Sequence, residues 1–245
     1  MTRALKPKSL SILLGGSALV AVMFGAVQML RGPKTVALAD MNTAIVAMQN
    51  GETLRVQKRE VTVAQWKICY EAGYCTLSIS NRSALGDYPA TGLSYPDAME
   101  YLRWMNATGD TIWRLPTAAE WTELAAEVMP KTPDPIFTDP SLTWASTYLT
   151  EASRTGRALR PSGSFSVTST GIEDLDGNVW EWTRDCYAGS DGQGSRTDPA
   201  RCPAYVMGGE HEAVMSYLVR DPARGGCAVG TPPAHLGIRL VAGQS

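Results

Sequence analysis

The segment DLDGNVWE sets Asp174, Asp176 and Asn178 in alternation and follows them with Glu181. Hard cations such as Ca²⁺ collect about six to eight oxygens from carboxylates, amides and backbone carbonyls, and this spacing offers several at once. It is not an EF-hand loop, because Val179 stands where that loop demands glycine. The same residues also suit a turn in which short side chains cap their own backbone. A second polar set, Glu210, His211 and Glu212, follows Gly208-Gly209. On a continuous strand Glu210 and Glu212 would share one face and His211 the other, so the three reach one metal only if the strand breaks there. They read either as solvated strand-end residues or as groups that bind a ligand. Arg220, Arg224 and Arg239 sit in apolar sequence surroundings. Such arginines either pair with an acid such as Glu181 or recognise a ligand carboxylate through their forked donors. His235 reads as a structural loop residue.

The cysteines are Cys69, Cys75, Cys186, Cys202 and Cys227, so at least one lacks an intramolecular partner. Spacing alone does not choose the pairing. Proximity suggests Cys69 with Cys75 at a helix end, and Cys186 with Cys202 across a polar loop. Cys227 is then a buried thiol, a reactive or metal-binding thiolate, or half of an intermolecular bridge.

Residues 9–30 carry no charge and are preceded by Arg3, Lys6 and Lys8. A run of that length can cross a bilayer core of about 30 Å, and the basic flank would hold the tail inside and the rest of the chain outside. Residues 1–39 are therefore expected to be a membrane anchor or a signal peptide, with Ala37-Leu38-Ala39 as the cleavage site in the second case. Export to the periplasm or another extracytoplasmic space follows from either. The expected organisation is completed by a lead-in segment, 40–52, and one domain, 53–245. A formal charge of -2 and no cluster of basic residues exclude a nucleic-acid surface. With 23 glycines, 15 prolines, 7 tryptophans and only 3 phenylalanines, turns and packed indoles should outweigh long regular elements.

Positioning these groups falls to three helices that share one start signal, a hydroxyl answered three residues later: Thr62 with Gln65, Ser94 with Asp97, Thr117 with Glu120. The helices are predicted over about 63–72, 95–106 and 118–127. Their inner faces should carry Val63, Trp66 and Tyr70; Ala98, Leu102 and Met105; and Trp121, Leu124 and Ala125. A weaker helix is predicted over 41–49, then a short strand through Leu54 and Val56 toward Val61. Segments 205–209 and 236–241 read as strands, and 128–171 as a long connection.

REVTVAQW (59–66), GLSYPDAMEYLRWMN (92–106), RLPTAAEW (114–121), GNVWEW (177–182), MGG (207–209) and LGIR (236–239) occur in the order and rough spacing of the formylglycine-generating enzyme, or sulfatase-modifying factor, family. The chain resembles that family over about 53–243. The resemblance implies an α+β fold of C-type-lectin-like kind with little regular secondary structure, and the two cysteine pairs look like those of exported members. It implies a structural calcium held by Asp174, Gly177, Val179 and Glu181, the middle two through carbonyls. A second family calcium site is not recognisable between Leu142 and Thr150.

Family enzymes oxidise a substrate cysteine with copper held by two cysteines beyond the Gly-Gly pair. Laid on that pattern, this chain has Ala213 and Leu218 at those positions, and neither binds Cu(I), which takes soft sulfur ligands. No copper is expected, and copper-dependent formylglycine formation is disfavoured. The resulting expectation is an exported accessory or maturation factor that binds a partner protein or small ligand. Among exported members, those encoded beside nitrite reductases and those of siderophore maturation look similar in size, and a periplasmic redox enzyme is a candidate partner. The alternative is an oxidoreductase acting on a small molecule or peptide with altered chemistry at Glu210, His211, Glu212 or Cys227.

Overall fold

The computed structural model describes residues 42–79, 86–129, 136–146, 149, 158–187, 202–209, 213–222, 226–228 and 235–243. The apolar run 9–30 lies outside them. Among the described residues no helix is long and apolar enough to cross a membrane.

All three helices start at closed capping boxes. Thr62 and Gln65 open α1 (Val63–Glu71), Ser94 and Asp97 open α2 (Tyr95–Thr108), and Thr117 and Glu120 open α3 (Ala118–Ala125). These reciprocal bonds occupy amides that a helix start otherwise leaves without partners. The α2 and α3 faces are buried as the spacing predicts, with Tyr101 and Trp104 added to the first. In α1 the expectation needs correction: Tyr70 is 43% exposed, and Cys69 is buried in its place. The bridge from Cys69 to Cys75, just past the helix end, ties that side of the helix to the core.

The predicted helix over 41–49 is also corrected. Thr43–Ala47 is a strand, β1, antiparallel to β2 (Thr53–Gln57), with Thr43 opposite Gln57 and Ala47 opposite Thr53. Its Thr, Ile and Val favour a pleated, half-buried surface once a partner strand exists, and Asn50-Gly51 supplies the reversal. The lead-in segment thus belongs to the domain from residue 42 onward. A further strand, β8 (Val241–Gly243), pairs with the other edge of β2.

The second sheet has the order β6-β5-β4-β3-β7. Its members are β3 (Trp180–Cys186), β4 (Ala204–Gly208), β5 (Ala213–Ser216), β6 (Gly226–Ala228) and β7 (Leu236–Gly237). The segment read as one strand over 236–241 instead leaves the second sheet after Gly237 and joins the first at Val241. Arg239 therefore stands at the crossing between the two sheets.

Indoles fill the core. Trp66 stacks on Tyr101 at 5.7 Å, and Tyr101 meets Trp104 edge-on at 5.3 Å. The Gly208-Gly209 pair is explained by close approach. A Cβ at Gly208 would overlap the Trp121 ring, and one at Gly209 the Trp180 ring. Cys186 and Cys202 are bridged across the ends of β3 and the segment entering β4. Closing a loop of that size restricts the unfolded chain by an amount equivalent to about 3 kcal/mol.

Candidate functional site

The crossing between the sheets is built around Arg239, which is fully buried. Its Nε donates to Glu181, Nη1 to the carbonyls of Gln57 and Lys58, and Nη2 to Glu173 O and Glu181. All five N–H groups are used. The same Glu181 carboxylate accepts from Trp121 Nε1 at 2.8 Å. Arg239, expected among the ligand-binding arginines, is corrected to a structural one: it has no donor left and no contact with solvent. Its guanidinium ties β2, β3 and the final crossing segment together.

The loop before β3 shows the same self-satisfaction. Asp174 and Asn178 adopt positive φ of 66° and 68°, a region their short polar side chains tolerate. The Asp174 carboxylate is buried and accepts the amides of Gly163 and Phe165. Its carbonyl accepts from Gly177 N, and Gly177 O accepts from Val179 N. Asp176 is turned to Ser166, taking both its amide and its hydroxyl. Of the expected calcium set Asp174, Gly177, Val179 and Glu181, both carboxylates and the glycine carbonyl already have protein donors. Among the described residues no group of three or more His, Cys, Asp or Glu side chains is gathered for a metal. In this arrangement the oxygens of the loop hold its own backbone and neighbouring side chains together.

One buried acid has no such partners. Glu60 is 1% exposed and neither carboxylate oxygen has a hydrogen bond. Burial pushes its carboxyl well above the ordinary value; Arg239 offsets this in part, while Glu181 and Asp174 push it further up. Glu60 was not singled out in the sequence. The only signal was an acid set between the inward-facing Val56 and Val61.

A second guanidinium–carboxylate pair lies at the start of α2. Arg220 Nε and Nη2 each reach an oxygen of Asp97 at 2.8 Å. Burial raises the Asp97 carboxyl, but the Arg220 and Ser94 bonds outweigh it and hold the group below its ordinary value. The helix cap read from sequence is therefore also the anchor of Arg220, which remains half exposed. The neighbouring Tyr217 carbonyl accepts from Tyr95 N.

Ala213 and Leu218, the positions matched to the copper cysteines, both lie shortly before Arg220 in sequence. Ala213 is buried in β5, while Leu218 is 63% exposed. Neither side chain carries an atom able to hold copper. Cys227 lies in β6 opposite Val214, one register position out of phase with Ala213, which faces Ala228. The side chain of Cys227 lies outside the described residues, as do Glu210, His211, Glu212 and Arg224. His235 accepts the Trp180 amide through its carbonyl, a loop contact that orders the entry to β3.

Residues 15–244 match the family described as sulfatase-modifying factor enzyme 1-like domain. A formylglycine-generating enzyme of Mycobacterium tuberculosis (strain ATCC 25618 / H37Rv) is 29% identical over 194 residues, covering 63% of this chain and 57% of that protein. The chain thus spans little more than half the length of that relative. Among solved structures, PvdO from Pseudomonas aeruginosa is similar with a TM-score of 0.53 at 18% identity, over 79% of this chain and 82% of that one. CarF gives 0.48 at 18% identity, over 79% and 87%. The PvdO likeness supports the α+β fold.

Proposed function

Because this chain belongs to the sulfatase-modifying factor enzyme 1-like domain family, we propose that it is a non-classical member: an exported accessory or maturation factor that binds a partner protein or ligand and does not form formylglycine with copper. The observation that carries this reading is the replacement of both thiol positions by Ala213 and Leu218. Cu(I) chemistry needs soft sulfur donors at those places, and a methyl group and an isobutyl group supply none. Leu218 instead offers an exposed apolar side chain beside Tyr217, which is 38% exposed. Apolar and aromatic groups at the surface next to a fixed ion pair suit a protein contact better than a redox centre. The Arg220–Asp97 pair holds the turn that presents them.

Export is supported by the uncharged run 9–30 with its basic flank and by the two bridges, Cys69–Cys75 and Cys186–Cys202. Disulfides persist in oxidising compartments. A periplasmic redox enzyme is the partner class we favour, since such enzymes are assembled outside the cytosol with accessory factors. The test is direct: the purified protein, supplied with copper, oxygen and a cysteine-containing sulfatase peptide, is followed by mass spectrometry. No aldehyde is expected. Aldehyde formed over many turnovers would overturn the reading.

A further inference from the structure

Further along α2 lies a cleft of about 620 Å³ that the family reading does not use. Its floor includes Leu102, Trp113 and Leu115, all buried, and its edges carry Arg103, Arg114 and Arg184. Sites for small molecules fall in this size range and combine an apolar lining with a few placed polar groups. The three arginines are not equivalent. Arg114 is neutralised by a two-point pair with Glu120, at 2.7 and 2.6 Å. The Arg103 and Arg184 side chains are exposed and make no hydrogen bond or salt bridge to a described residue, although the charge of Arg184 also acts on Glu120. Two exposed guanidinium groups without a salt bridge among the described residues thus edge one apolar depression, in a chain whose formal charge is -2.

The depression is also held firmly. Asn106 clasps the Trp113 backbone from both sides, donating to its carbonyl at 3.0 Å and accepting its amide at 2.8 Å. The Trp113 indole N–H is buried and has no acceptor. A cation is excluded from such a site by charge, and a neutral apolar molecule would leave the arginines unused. A carboxylate suits the forked donors, and an apolar body suits the floor.

We propose that this cleft binds a small organic acid: one carboxylate held by Arg103 and Arg184, and an apolar body lying over Leu102, Trp113 and Leu115. The proposal is independent of the Leu218 surface. The full-length protein is titrated with 3-phenylpropionate, with the uncharged 3-phenylpropionamide, and with the peptide Gly-Gly-Phe, following tryptophan fluorescence. The acid is expected to bind about tenfold more tightly than the amide, the difference a charge-assisted pair supplies. A variant carrying R103Q and R184Q should lose that preference while keeping the wild-type melting temperature, since both side chains are exposed. Equal binding of acid and amide, no binding of the acid, or an unchanged preference in the double variant would overturn the proposal. Binding of the peptide with none of the free acid would also overturn it, by turning the cleft into a peptide-docking surface.

Discussion

Arg239–Glu181 and Arg220–Asp97 join the same two functional groups, yet they do different work. Arg239 is sealed, with five donors committed to one carboxylate and to three carbonyls from two separate segments, 57–58 and Glu173. Arg220 is half exposed and is held by one carboxylate that also closes the α2 cap. Chemistry alone does not tell a structural arginine from a surface one. The number of separate segments whose carbonyls the guanidinium reaches does, because each of them is fixed by it.

The contrast is sharpest in what each loss should cost. R239A removes the cation paired with Glu181 in the core and leaves a buried carboxylate without that partner, so a destabilisation of about 3–5 kcal/mol is expected in urea unfolding. A loss below about 1 kcal/mol would show that the crossing does not depend on the pair. D97A deletes the carboxylate half of the α2 capping box together with the Arg220 bond and should cost about 1–2 kcal/mol. R220A leaves the cap in place. With Arg220 half exposed and screened by water, its loss should cost below about 1 kcal/mol. If R220A proved as damaging as D97A, the pair rather than the cap would be the stabilising element.

Glu60 adds a titration of opposite sign to that of Asp97. Its carboxyl is raised by burial, so the folded chain keeps a proton that the unfolded chain releases near its ordinary value of 4.5. Stability from this group is complete below that value and is lost as pH rises toward the folded one. Asp97, held low, stabilises above its ordinary value and loses that contribution on acidification. E60Q should therefore flatten the decline of melting temperature as pH rises above the ordinary carboxyl value of 4.5. Parallel curves for variant and wild type would show that the buried acid does not titrate there.

The smallest expected effect concerns calcium. Since the oxygens of Asp174 and Glu181 already accept from Gly163, Phe165, Trp121 and Arg239, millimolar calcium and a chelator should leave the melting temperature unchanged. A tightly bound ion would raise it, by mass action on the folded state alone. A rise of several degrees would mean that the loop rearranges around the ion.

Much of this architecture was legible in the sequence because its signals are local. The three capping boxes and the Trp121 face follow from spacing within a few residues, and both disulfides follow from proximity. The failures were non-local. Thr43–Ala47 became a strand because β2 lies beside it, a partner no window of sequence contains. Tyr70 lost the inner position to Cys69, whose bridge leads back to the core. Arg239 looked available to a ligand because Gln57, Lys58 and Glu173, whose carbonyls occupy it, are distant in the chain. The cleft beside Trp113 was missed for the same reason: Arg103 and Arg184 come to line one cleft only in the folded chain.

We propose that Ala213 and Leu218 leave this protein without a soft-metal centre. Full-length protein with both disulfides intact is titrated with Cu(I) against a competing chelator, and copper is counted per chain. The account predicts that the chelator keeps the copper at every ratio. One tightly held copper per chain, dependent on Cys227, would contradict it.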